Sequence, residues 1–147
     1  MNENKIFKTQ EIFIPGPAGR LEGIYYKSKK KGAPIVLILH PHPQFGGTMN
    51  NKIILTVFKV FAMNNFSVLR FNFRGVGLSD SIFDNGQGEL SDAAAALDWI
   101  EKVHTYHSLW IRNVFCDGSD RQRRSIGCQN SFNLTYVIHR FKYFLFY

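Results

Sequence analysis

Apolar and polar positions along the chain sort into a small number of runs. Glu11–Ile14 and Leu21–Tyr26 are short strand-like runs on either side of PGPAG, where proline and glycine favour a turn, so a hairpin is expected. Ile35–Leu39 reads IVLIL, an unbroken apolar run of the kind found in strands covered on both faces. Ser67–Phe73 (SVLRFNF) and Ser108–Ile111 (SLWI) have the same character. Between the first two lies KIILTVFKVFAMNN, apolar at helical spacing, with Asn50 or Asn51 placed to cap it. Leu90–His104 is Ala-rich and acidic at its start, with Leu97, Trp99 and Ile100 on the apolar side, and predicts a second helix. The basic KSKKKGAP reads as a solvated loop. Strand, helix, strand, helix, strand is the grammar of a parallel α/β sheet.

Composition sharpens this picture at one place. The chain has 147 residues and a net charge of +7. Residues 1–111 hold 12 Lys and Arg against 9 Asp and Glu, whereas residues 112–147 hold 6 against 2. The second segment also carries 8 aromatics and no alanine. Two regions are therefore expected: 1–111, and an atypical basic, aromatic tail at 112–147. No run of 18 apolar residues exists, so no membrane span is expected, and the first ten residues lack a signal-type apolar stretch. Two cysteines, Cys116 and Cys128, suit neither a metal pair nor a disulfide framework. The expected compartment is the cytoplasm, and no cofactor is expected.

Chemistry in a parallel sheet belongs beyond the carboxyl ends of the strands. Two loops leave such ends. The first, His40–Gly47 (HPHPQFGG), combines rigid prolines with Gly46 and Gly47, a composition able to aim backbone N–H groups at a developing oxyanion. The second, Arg74–Asp80 (RGVGLSD), turns tightly at Gly75 but is not a dinucleotide fingerprint. His40 and His42 form an H-x-H pair. Asp84 or Asp92 would have to complete a metal site, and nothing in the spacing supports one, so no metal is expected. A packed, hydrogen-bonded loop histidine is the competing role.

The strings HPHPQFGGTMNNK, RFNFRGVGLSD and FDNGQGELSDAAAALDW, in that order, resemble the N-terminal half of a bacterial α/β-hydrolase family related to dienelactone hydrolases and serine esterases. The resemblance covers about Glu11 to Ile111. It implies a partial α/β-hydrolase fold: an N-terminal hairpin, then parallel strands alternating with helices, with the C-terminal half of the fold missing. It also implies a Ser, His and Asp/Glu set acting on a small ester-like substrate. The loop after the first buried strand then donates an oxyanion-hole N–H, best matched by His42 with Gln44 as second candidate. The nucleophile is due in G-x-S-x-G soon after SLWI.

The chain instead reads Arg112-Asn113-Val114-Phe115-Cys116-Asp117-Gly118-Ser119-Asp120, and no G-x-S-x-G occurs anywhere in it. Cys116 and Ser119 are the nearest nucleophiles, and His139 is a general-base candidate, but none has an elbow or a recognisable partner around it. The expectation is an inactive remnant whose reading frame changes just after Ile111; a diverged C-terminus competes with it. Two other functions stay open. One is a hydrolase with an unconventional Cys or Ser nucleophile. The other is a basic, aromatic module for single-stranded nucleic acid or an anionic membrane surface, though charge and aromatics alone are a generic signal for nucleic acid. With the last third of the sheet absent, the SLWI strand is expected to form an exposed edge prone to self-association.

Overall fold

The computed structural model describes residues 7–84, 86–106, 108–113 and 135–139, the last of these for its backbone alone. Two long antiparallel strands, β1 (Thr9–Gly16) and β2 (Gly19–Tyr26), form the expected hairpin. β3 (Ile35–Leu39) leads through a short 3-10 turn, Pro43–Phe45, into α1 (Lys52–Met63). β4 (Ser67–Phe71), α2 (Gln87–Val103) and β5 (Ser108–Asn113) follow, and β6 (Thr135–His139) closes the order. Asn51 is the cap of α1, its side-chain Oδ1 accepting the Ile53 N–H at 2.9 Å, which supplies one of the helix's orphan donors with a partner.

The strands lie in the order β1-β2-β4-β3-β5-β6. β3 is paired in parallel on one side with β4 and on the other with β5. The chain therefore steps from β3 to one side, then crosses back to the other, and the strand order reverses at β3. Such a reversal opens a crevice at the carboxyl ends of the strands.

The apolar runs explain the layers. Ile35, Leu37, Leu69, Phe71 and Leu109 face α2, where they pack with Ala96, Leu97 and Ile100. Val36, Ile38 and Val68 face α1, where they pack with Ile54, Phe58 and Ala62. Alternate residues of one strand thus bury on opposite faces, as the period of a strand requires. Trp110 extends the α1 side, with its ring 5.5 Å from that of Phe66.

Both hairpin strands run further than expected, β1 over Thr9–Gly16 and β2 from Gly19, and three later boundaries differ as well. α2 begins at Gln87 rather than Leu90, because its start is the left-handed Gly86, which makes no side-chain cap bond; the usual Ser, Thr or Asp marker is absent. β4 stops at Phe71 rather than Phe73. The Asn72 side chain there accepts the Met49 N–H and donates to Glu22 Oε2, both at 2.8 Å, tying three segments together beyond the ladder. β5 runs past Ile111, because backbone pairing of Arg112 with Ile38 and Asn113 with Leu39 is indifferent to side-chain polarity. A further correction concerns the edge. β5 is not exposed: β6 pairs with it antiparallel, from Ser108 opposite His139 to Arg112 opposite Thr135. Any edge-to-edge association on that side would use β6.

Core burial on the α2 side sets a clear contrast. Phe71 is fully buried and Ile82 is 77% exposed. Phe71→Ala is expected to cost about 3–5 kcal/mol in urea unfolding, and Ile82→Ala less than about 0.5 kcal/mol. Equal effects would contradict this assignment of the core.

Candidate active-site cleft

A cleft of about 430 Å³ opens at the carboxyl end of β3. Its walls come from Leu37 and Leu39 on β3, from the His40–Pro43 loop, from Phe73 and Phe83 after β4, from Glu89, Leu90 and Ala93 on α2, and from Ile111 and Asn113 on β5. The lining is mostly apolar with a few polar groups, which is the usual form of a small-molecule site. It sits where the strand order reverses.

His40 is buried and holds the floor of this cleft together. Its Nε2 accepts the Phe73 N–H at 3.1 Å, and its Nδ1 lies 2.7 Å from the Pro41 carbonyl. Only the tautomer protonated on Nδ1 satisfies both contacts. Burial pushes its pKa below the usual histidine value, with the Pro41 carbonyl pulling the other way. The packed-histidine role anticipated for the H-x-H pair is therefore the one His40 fills.

His42 starts the 3-10 turn, and its ring Nδ1 accepts the Gln44 N–H at 3.2 Å. The Gln44 amide is thus engaged within its own loop. The His42 ring meets Phe83 edge-on at 4.8 Å, bridging the first loop to the second. Gly47 donates to the His42 carbonyl at 3.2 Å, and a β-carbon there would fall 1.7 Å from the Pro41 carbonyl oxygen. Only glycine lets the loop fold back this closely.

Arg74 turns away from the cleft and into the fold. Its Nε and Nη2 grip the two oxygens of Asp92 at 3.0 and 2.8 Å, Nη1 reaches Asp84 at 3.1 Å, and Nη2 also donates to the Gly88 carbonyl at 2.9 Å. The Arg74 backbone N–H adds a bond to Asp92 at 3.1 Å. Asp92 is fully buried, and a β-carbon on Gly88 would collide with the guanidinium. Asp84 also accepts the Gly88 N–H at 2.7 Å, the first cause of a pKa held below the ordinary carboxylate value. The two aspartates considered as metal ligands are therefore partners of Arg74.

Of the residues singled out from sequence, His40 and His42 line the cleft, while Gln44, Gly46, Gly47, Arg74 and Gly75 shape it from outside its wall. Cys116 and Ser119 lie outside the described residues, and His139 is described only as the last backbone position of β6. Phe73, Phe83, Leu90, Ala93 and Glu89 were not anticipated. Their only sequence signal is that they flank the two loops at strand ends.

Among solved structures, a protein of unknown function from Agrobacterium tumefaciens described as a candidate alpha/beta hydrolase matches with a TM-score of 0.68 and 56% identity, covering 71% of this chain and 48% of that one. An alpha-beta serine hydrolase homologue from Coxiella burnetii matches with a TM-score of 0.66 and 38% identity, over 74% and 52% of the two chains. This is a partial α/β-hydrolase fold. A Xanthomonas campestris member of the a/b serine hydrolases without a lid shares that fold at 28% identity and a TM-score of 0.65, covering 71% of this chain and 50% of its own. An uncharacterized protein of Rickettsia prowazekii is 52% identical over 92 residues, 63% of this chain and 39% of its own length. No family model matches the sequence. The α/β-hydrolase-like chain thus spans about half the length of the solved structures it matches.

The polar contacts around this cleft generate two predictions. Removing the buried member of the Arg74–Asp92 pair by Asp92→Leu is expected to cost roughly 2–4 kcal/mol, since it leaves the Arg74 Nε and backbone N–H unpaired and only Asp84 and the Gly88 carbonyl on the guanidinium. The double change Arg74→Met with Asp92→Leu is expected to be milder, and a double-mutant cycle by urea unfolding measures the difference. Second, His40 and His104 both have pKa values lowered chiefly by burial. Their folded pKa lies below the unfolded value near 6.5. The stability they contribute is fully present above that value and is lost as pH falls through the folded one, because the unfolded chain takes up protons first. Melting temperature should drop on acidification below about pH 6.5, and His40→Gln should flatten that drop. An unchanged slope would exclude His40.

Proposed function

We propose that this chain descends from an esterase-type serine hydrolase and is catalytically silent as it stands. One observation carries this reading. A cleft of about 430 Å³ stands at the switch point of the sheet, but β5, the strand that ought to deliver a nucleophile to it, runs into Asn113-Val114-Phe115-Cys116 and no G-x-S-x-G follows. A hydrolase of this kind without its serine keeps at most substrate binding and oxyanion stabilisation. The His40–Gly47 loop is the proposed donor of that stabilisation, through the backbone of His42, with Gln44, whose amide donates to the His42 ring, as second candidate. The ligand would be a small, mostly apolar molecule of the ester class.

The abrupt change of composition after Ile111 supports a frame change in the coding sequence, which places 112–147 out of phase with the fold that precedes it. A basic, aromatic binding module and a hydrolase using Cys116 or Ser119 are the readings this displaces. The sparse use of cysteine, two in 147 residues, is compatible with a reducing, cytoplasmic setting.

The test has a genetic and a chemical arm. Resequencing codons 105–150 and translating all three frames should reveal a neighbouring frame that continues SLWI into G-x-S-x-G. The purified chain should neither hydrolyse p-nitrophenyl acetate above background nor take up a fluorophosphonate, and the frame-repaired chain should do both. Labelling of the present chain that disappears in Ser119→Ala, or iodoacetamide-sensitive turnover that disappears in Cys116→Ala, would sink the proposal.

A further inference from the structure

The amino end of the sheet, opposite the cleft, gathers positive charge. The chain leaves β2 through Lys27-Ser28-Lys29-Lys30-Lys31-Gly32, and all four lysines are exposed. Lys8 is exposed one step beyond the Thr9–Tyr26 pair that ends the hairpin ladder, and so stands beside Lys27. Lys102, in the last turn of α2, is exposed at the same end. Among the described residues no ion pair involves any of these six lysines. Glu101, also in that last turn, is the acid that the described residues place at this end; Glu11 and Asp98 stand further along their elements. The basic loop is fastened to the fold. The Ser28 N–H donates to Ser67 Oγ at 3.0 Å, and Ser28 Oγ accepts the Lys30 N–H at 3.2 Å. The Ala33 N–H donates to the Lys30 carbonyl at 3.2 Å, and the Ser67 N–H to the Pro34 carbonyl at 2.9 Å. Ser28 and Ala33 are buried. The loop therefore crosses beneath the amino end of β4, and its turn lifts Lys29, Lys30 and Lys31 into solvent. α1 and α2 both run toward this end, on opposite faces of the sheet. Each finishes in an exposed apolar side chain: Met63 is 53% and Val103 44% exposed.

We propose that the amino end of the sheet docks on the surface of an anionic phospholipid bilayer, with the lysine loop against the headgroups and Met63 and Val103 in the interface on either side of it. Several lysines held close to such a surface attract it jointly, and salt screens the attraction. Long lysine stems beside exposed apolar side chains suit the boundary between headgroups and acyl chains. A nucleic acid fits this face less well. Lysine lacks the planar fork with which arginine grips phosphates and base edges. Met63 and Val103, the large apolar side chains exposed here among the described residues, give bases no aromatic platform to stack on. No helix among the described residues is long and apolar enough to cross a membrane, so the contact is peripheral. It lies at the opposite end of the strands from the cleft, makes no use of residues 112–147, and does not rest on the hydrolase reading.

The test mixes the full chain with vesicles of phosphatidylcholine alone, or of equal parts phosphatidylcholine and phosphatidylglycerol, and measures bound protein by flotation. The chain should float with the anionic vesicles and not with the neutral ones. Binding should fall steeply as salt rises from about 0.05 to about 0.3 M. The triple change Lys29→Gln, Lys30→Gln and Lys31→Gln should weaken it about a hundredfold, since each lysine near such a surface contributes a factor of about five. Met63→Gln with Val103→Gln should weaken it about tenfold and keep the salt dependence. All five side chains are exposed, so both variants should melt with the wild type. No binding to anionic vesicles, equal binding to neutral ones, or wild-type binding by either variant overturns the proposal. A lower melting temperature in the lysine variant also overturns it, because those side chains would then have partners in the fold. Binding of a poly-dT oligonucleotide in preference to anionic vesicles, lost in the lysine variant, would make this a nucleic-acid surface and overturn the lipid assignment.

Discussion

The guanidinium of Arg74 is the knot on which the cleft depends. It leaves the carboxyl end of β4 and is met by Asp92 from the second turn of α2, by Asp84 from the intervening loop and by the Gly88 carbonyl. A loop of this length would otherwise pay a large entropy to stay in one place. One cation thus holds the start of this loop, Asp84 within it and the first two turns of α2 together. Buried ion pairs of this kind are weak contributors to net stability, and their value lies in allowing one arrangement rather than several. Here that arrangement sets where Phe83, Glu89 and Leu90 stand.

The layers of the fold were legible in sequence because both faces of β3 and β4 are buried, and continuous apolar runs such as IVLIL leave no other reading. The helices were legible from their spacing, and the cap of α1 was narrowed to Asn50 or Asn51, of which the fold uses Asn51. The hairpin was legible from PGPAG. What escaped was non-local. The bond between Arg74 and Asp92 joins residues 18 apart along the chain, and no periodicity announces a partner at that distance. His40 likewise bonds to the Phe73 amide, 33 residues away. Read locally, both histidines and both aspartates look like available donors, whereas in the fold His40, Asp84 and Asp92 are consumed by the scaffold.

The position of the cleft was better forecast than its contents. That a site belongs beyond the carboxyl end of β3 follows from parallel pairing, which the alternation of strands and helices implies; the reversal of strand order at β3 emerged only in the fold. Which side chains reach it depends on where two loops settle. Leu90 illustrates the difficulty: it stands in the first turn of α2, off the apolar side formed by Leu97 and Ile100, and is 54% exposed at the cleft wall. Glu89 carries the same lesson with the opposite sign, since an acidic residue in a first helical turn is ordinarily a solvated dipole partner, and here it is enclosed.

The imidazole of His40 also has a kinetic meaning. It is the acceptor for the Phe73 amide while its own other nitrogen is held by the Pro41 carbonyl, so the ends of two loops share one ring. Neither loop can open by itself without releasing that amide to water. Proton exchange at Phe73 therefore counts the openings of the cleft floor as a whole, and the two loops behave as a single breathing unit rather than as independent flaps.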